Sequence, residues 1–491
     1  MLDLSVDEER LENAVERARE KGVILPTFEQ MKNPEEIPAD IKEKLKDVGL
    51  WDMDSSNLFR ITWKNEPTRS GGLYDGVNFV ELPSELTGVD ARIVAIVGKW
   101  FPTGAHKVGA TYGCLAPQLV TGKFDPTEEK AVWPSTGNYC RGGAYNSELL
   151  GCESIAILPE GMSQERFDWL AGVADEVIST PGSESNIKEI FDKCWELRET
   201  RDNIKVFNQF DELGNHLWHY EVTGDAMLEA FDNLQGEASM AGVVLTSGSG
   251  GTLGSGDRIK DRYPHSRLAV AEALQCPTLL YNGYGAHRIE GIGDKHVPWV
   301  HNVRNTDMVL GIDDNDSMNL IRLFNTDVGR EYLAEQGVPA ETIENLELMG
   351  ISGIANMLGA IKFARYYELD EDDVVMTVFT DSMELYGSRV EEMVAEAGED
   401  YTRQDAAVDF HRNLRGQRID HMKELDYYER KRIHNLKYYT WIEQQGRDVE
   451  ELDAQWYDYD NYWGRLHDMA DEIDELIEEF NRKTGLMEEN N

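Results

Sequence analysis

Residues 91–110 read ARIVAIVGKWFPTGAHKVGA. The β-branched run at the start predicts a buried strand, and it is followed by a turn in which one lysine, Lys107, sits among small and polar residues. Further strands are predicted at 130–133, 154–159, 175–180, 204–209, 242–247, 267–273 and 374–380, with amphipathic helix-length segments between them. That alternation predicts an α/β fold of open, mainly parallel twisted sheets flanked by helices.

Lys107 has Gly104, Ala105 and Gly109 as neighbours, so a large flat group could lie against it. A partly desolvated amine has a lowered pKa and becomes nucleophilic, which Schiff-base chemistry requires. Two other strand–turn–helix junctions carry polar groups. After 242–247 comes GSGGTLGSG, with a helix expected from near Asp257. There the backbone N–H groups of Gly248, Ser249, Gly250, Gly251 and Thr252 can converge on an anion at a helix N-terminus. Leu253 replaces the third glycine of a dinucleotide motif, and no lysine completes a Walker motif, so taken alone the loop also reads as a flexible turn. PSTGNYCRGGA at 134–144 places Ser135, Thr136, Gly137 and Asn138 at a helix start, where free N–H groups favour a carboxylate or phenolate. By itself this is an ordinary N-cap.

Composition removes several function classes. The chain carries 92 acidic and 48 basic residues, a net charge of -44, which repels nucleic acid. Charge of this size suits a salt-rich setting, where screening acts within about 3 Å at molar salt. The longest apolar runs, such as VVMTVF at 374–379, are far too short to span a bilayer, and the acidic N-terminus lacks a secretory pattern, so a cytoplasmic location without membrane partners is expected. Five cysteines without CxxC spacing support neither a disulfide framework nor a zinc ribbon, and Cys140 is read as a packed structural thiol. The acidic DDNDSMN at 313–319 lacks the glycine of a calcium loop and is read as solvated surface; no metal is expected.

In order, these motifs resemble the pyridoxal-phosphate-dependent fold type II (tryptophan synthase β-like) enzymes, and within them the cysteine synthase and cystathionine β-synthase branch. Over about residues 75–390 the resemblance takes in FVELPSELTGVDARIVAIVGKWFPTGAHK, the Ser135–Asn138 loop, NQFDELGNHLWHYEVTG at 208–224, the glycine loop, AHRIEGIGDKHVP at 286–298 and TDSMELYGSR at 380–389. It implies pyridoxal 5'-phosphate as cofactor, Lys107 as its Schiff-base lysine, Asn138 at its phenolate and Gly248–Thr252 at its phosphate. It further implies Ser135, Thr136, Gly137 and Gln209 as ligands of the substrate carboxylate, and Ser382 at the pyridine nitrogen with Asp381 turned away. PTGAHK is closer to the tryptophan synthase β version of its segment, and YCRGG puts Tyr139 and Cys140 where the branch has smaller residues.

The function implied is β-replacement or β-elimination on a β-substituted L-alanine (O-acetylserine, serine or cysteine-like) through an aminoacrylate, by a homodimer. Threonine synthase-like γ-replacement, tryptophan synthase β-like coupling and amino acid deamination belong to the same class. A non-catalytic scaffold subunit is opposed by the intact lysine, asparagine and glycine loop. Residues 1–70 are expected to form an N-terminal helical extension, 71–390 the catalytic domain with a smaller movable subdomain within about 100–225, and 391–491 a helical, acidic, aromatic-rich extension. Its WYDYDNYW at 456–463 is read as a packing or subunit-contact surface.

Overall fold

Two sheets divide the strands of a computed structural model that describes residues 1–487 apart from 136, 163, 183–185 and 398–400. The strands are β1 (Phe79–Leu82), β2 (Arg92–Val97), β3 (Lys130–Pro134), β4 (Ser154–Pro159), β5 (Glu176–Thr180), β6 (Ile204–Val206), β7 (Ser239–Thr246), β8 (Arg267–Ala273), β9 (Met308–Ile312), β10 (Asp373–Phe379) and β11 (Met422–Glu424). Seven form one sheet in the order β1-β2-β10-β7-β8-β9-β11, and four form a second in the order β5-β4-β3-β6. The smaller sheet is wholly parallel, and the larger is parallel from β2 to β9 with an antiparallel strand at each edge.

The central strands are apolar on both faces because helices cover both. In β2, Val94 and Ile96 join one core with Trp63, Phe101 and Trp218, whereas Ile93, Ala95 and Val97 join the other with Ile354 and Leu358. This is the two-residue alternation of a pleated strand. Helix Ile351–Tyr366, buried along nearly its whole length, lies against β7 and β10 on that second face.

Eight predicted strands are present, with β6 three residues shorter than expected. Three were not foreseen, β1, β9 and β11, the first and last being edge strands of four and three residues with little periodicity to read. Because β11 pairs with β9, the larger sheet draws on residues beyond 390. The C-terminal segment is otherwise helical, and its last helix, Arg465–Thr484, packs on helices Glu8–Lys21 and Lys107–Val120. From WYDYDNYW, Trp456, Tyr462 and Trp463 are buried and Tyr457 is exposed. Residues 313–319 are not a solvated loop: Asp313 caps the helix Asp314–Asn325, and Asp314 is buried. No helix among the described residues is long and apolar enough to cross a membrane.

Candidate active site

A cleft opens where the C-terminal ends of β3, β7 and β10 face one another, and it is lined by Lys107, Ser135, Asn138, Gln209 and the glycine loop among others. Open parallel sheets place ligand sites at such strand ends. Lys107 reaches it through a constrained turn. Thr103 (φ 67°) and Gly104 (φ 72°) are both left-handed, unusual for threonine, and they swing the chain so that Ala105 bridges Asp381 and the His106 N–H donates to the Thr380 carbonyl at 3.1 Å. Lys107 then opens the helix Lys107–Val120.

Its Nζ donates to Ser249 Oγ at 2.9 Å and to Gln209 Oε1 at 3.4 Å. Burial lowers the amine to a pKa of about 8, against opposing pulls from Asp294 and Cys114. The bareness of Gly109 has another use than the sequence suggested. A Cβ there would overlap the Trp218 ring, so this glycine lets a helix pack closely and leaves no open space at its own position.

The glycine loop leaves the end of β7 and enters helix Leu253–Arg262, four residues earlier than expected. Gly250 is left-handed at φ 76°. A Cβ on Gly248 would stand 2.5 Å from the Gly291 carbonyl, and one on Gly251 would overlap the Asn215 amide. Among the described residues none accepts a hydrogen bond from the backbone N–H of Gly248, Ser249 or Gly250. These donors stand at the positive end of a helix, an arrangement suited to an anion.

Asn215 ties the loop to the neighbouring wall: its Nδ2 donates to Ser249 Oγ at 3.1 Å and to the Gln209 carbonyl at 2.8 Å. Gln209 Nε2 donates in turn to Ser135 Oγ at 3.3 Å. Lys107, Ser135, Gln209 and Ser249 therefore form one hydrogen-bonded set. Gly137 and Asn138 line the same cleft, while Thr136 lies outside the described residues.

One expectation is corrected. Asp381 does not turn away; it lines the cleft, fully buried, and its Oδ2 accepts from Asn138 Nδ2 and from the Tyr386 hydroxyl, each at 2.6 Å. Burial pushes this carboxyl up, against those two hydrogen bonds. Asp381 Oδ1 and Asn138 Oδ1 are buried without hydrogen-bond partners. Ser382 is also buried but is not part of the lining, because the chain turns there into the short helix Met383–Leu385. Ser352 does line the cleft near Asp381, its hydroxyl paired with Thr380 Oγ1 at 2.7 Å.

Cys140 donates its thiol to the Gly137 carbonyl at 2.9 Å, and burial raises it to about 12, so it is packed and unreactive at neutral pH. Tyr139 does reach the lining. Sequence reasoning missed His106, Arg166, Asp294, Ser352 and Thr380. Ser352 stood beside a readable GISG turn; Arg166, which pairs with Glu290 at 2.7 Å, carried no local signal.

The sequence profile of the family described as "Pyridoxal-phosphate dependent enzyme" matches residues 100–381. A cysteine synthase of Staphylococcus aureus is 30% identical over 286 residues, 58% of this chain and 84% of that protein. Cystathionine beta-synthase of Saccharomyces cerevisiae is 24% identical over 315 residues, 62% of this chain and 59% of the yeast protein. The crystal structure of an O-acetylserine dependent cystathionine beta-synthase from Helicobacter pylori superposes with a TM-score of 0.53 at 23% identity, covering 63% of this chain and 94% of that one. At that identity the structural likeness concerns the fold.

Proposed function

Because this chain belongs to the pyridoxal-phosphate dependent enzyme family, we propose that it catalyses β-replacement or β-elimination on a β-substituted L-alanine, with O-acetylserine, serine and cysteine-like amino acids as the substrate class. The observation that carries the reading is the half-buried Lys107 amine, held between Ser249 and Gln209 beside a loop with unpaired N–H donors. The names of the cysteine synthase and cystathionine beta-synthase relatives support it.

The residues fit the cofactor. The free N–H groups of Gly248, Ser249 and Gly250 at a helix N-terminus, with Gly251 and Thr252 completing the turn, would hold the phosphate. Asn138 would meet the phenolate, and the Ser352–Thr380 hydroxyl pair, in place of Ser382, the ring nitrogen. Ser135, Gly137 and Gln209, with Thr136 beside them in sequence, would bind the substrate carboxylate. When bound, pyridoxal phosphate supplies the electron sink for negative charge developing at the substrate Cα.

The chain's own groups then set the course. Lys107 Nζ, with a pKa of about 8, is about one-tenth neutral at pH 7 and about half neutral at pH 8, and in that form can take the Cα proton as general base and return it as general acid. Ser249 and Gln209 fix where that nitrogen stands. An uncharged hydroxyl at the ring nitrogen leaves a weaker electron sink than a carboxylate would, which favours loss of a β-substituent over transamination. A homodimer belongs to the same reading.

Holoenzyme offered O-acetylserine, serine, homoserine phosphate and threonine, with and without sulfide, tests the proposal by product analysis. Cysteine or another β-product from the β-substituted alanines is expected. Turnover confined to homoserine phosphate or threonine would overturn it.

A further inference from the structure

Outside the cleft, His216, Asp257 and His467 bring one ligand atom each to within 4.8 Å of one another. They come from three helices, Leu213–Trp218, Leu253–Arg262 and Arg465–Thr484. The first follows Gln209, the second is opened by the glycine loop, and the third belongs to the C-terminal segment. His216 and His467 lie 251 residues apart in sequence, yet their Nε2 atoms stand 3.1 Å apart. His216 Nε2 is 3.6 Å from Asp257 Oδ2.

Three features make this cluster a ligand set. First, His216 Nδ1 lies 3.1 Å from the Val300 carbonyl, which can only accept, so Nδ1 carries the proton and Nε2 offers its lone pair to the cluster. Secondly, Asp257 is 1% exposed, its Oδ2 accepts from Asn302 Nδ2 at 2.7 Å, and its Oδ1 has no hydrogen-bond partner. Among the described residues no lysine or arginine forms an ion pair with it, and a carboxylate buried without a cation is costly. Thirdly, the imidazoles are held by aromatic walls. Tyr220 stacks on His467 with centroids 3.6 Å apart and planes 7° apart, and Trp463 lies 5.0 Å from His216.

Ligand atoms around a tetrahedral Zn²⁺ at 2.0–2.1 Å stand about 3.3 Å from one another. The gaps of 3.1 and 3.6 Å bracket that value. Two imidazole nitrogens and one carboxylate oxygen are a set that Zn²⁺ accepts, with water in the fourth position. We propose that His216, Asp257 and His467 form a Zn²⁺ site that fastens the C-terminal helix Arg465–Thr484 to the two helices flanking the cleft. The sequence alone indicated no metal, because the three ligands are scattered over 252 positions, 216–467, without a spaced motif.

Elemental analysis of the dialysed full-length holoprotein tests this, alongside Zn²⁺ and Co²⁺ titration of chelator-treated protein. Stoichiometric zinc is expected, with a raised Tm on adding Zn²⁺ and a visible ligand-field spectrum on adding Co²⁺. His467→Gln should weaken Zn²⁺ binding by more than the roughly 10–100-fold that loss of an outer-shell partner costs. Asp257→Asn, of nearly the same shape, serves if that variant fails to fold. Protein without zinc, whose Tm and Co²⁺ spectrum do not respond to metal, would reduce the cluster to a hydrogen-bonded contact. Zinc held equally well by both variants would place the ion elsewhere, and either result overturns the proposal.

Discussion

Lys107 Nζ stands 2.9 Å from the hydroxyl of Ser249, a residue 142 positions further along the chain. That hydroxyl also accepts from Asn215, so the amine is positioned by a group that is itself anchored. The lysine helix, the glycine loop and the helix carrying Asn215 therefore act as one frame, and displacing any of them moves the nitrogen.

The first prediction concerns the amine. Only its neutral form attacks a carbonyl, and burial sets its pKa at about 8. Uptake of pyridoxal phosphate by cofactor-free protein should accelerate as pH rises, with an inflection near 8, followed by stopped-flow absorbance. Lys107→Ala should lose the visible band and at least the roughly 10²–10⁴-fold that a positioned base contributes. A coloured, active variant would remove Lys107 from the mechanism.

Gly251→Ala probes the loop. The added methyl would overlap the Asn215 side chain, which holds both Ser249 and the Gln209 carbonyl. Such overpacking costs about 1–3 kcal/mol, and here it falls on the frame around Lys107. Cofactor affinity measured by equilibrium dialysis should drop about tenfold or more, since 1.4 kcal/mol is tenfold in Kd. Unchanged affinity would show that the loop is not the phosphate site.

Asp381 offers a contrast between two substitutions. Removing its carboxylate leaves the Asn138 amide and the Tyr386 hydroxyl without their acceptor in a buried site. Each stranded group costs about 1–3 kcal/mol, so Asp381→Ala should be strongly destabilised in urea unfolding. Asp381→Asn keeps an acceptor oxygen and should lose less. Equal losses would mean that the hydrogen bonds contribute little.

How much of this was legible in sequence depended on whether a property was local. β4 and β8 were read to their exact bounds because a buried parallel strand is an unbroken apolar run between turns. Lys107, Asn138 and the glycine loop were legible because each sits at a strand–turn–helix junction whose chemistry lies in adjacent residues. The hydroxyl facing the cleft after β10 was expected at Ser382, whereas Thr380 and Ser352 line it, because only the path after β10 decides which residue faces inward and Ser352 comes from a different element, the helix Ile351–Tyr366. Arg166 enters the lining through Glu290, 124 positions away, a pairing no local pattern encodes.

The last prediction follows from net charge. With -44 charges on one chain, carboxylate repulsion opposes compaction, and the surface ion pairs between Lys or Arg and Asp or Glu are worth only about 0–1 kcal/mol each. Screening should therefore stabilise the fold. The Debye length falls from about 10 Å at 0.1 M to about 3 Å at 1 M, so most of the gain belongs to that interval. Water-ordering effects of salt instead keep growing beyond it. Tm measured across a KCl series should climb steeply up to roughly 1 M and flatten afterwards. A Tm indifferent to KCl over that interval would mean that the acidic surface is tolerated without salt, and a climb that only begins above it would assign the effect to solvent exclusion instead of charge.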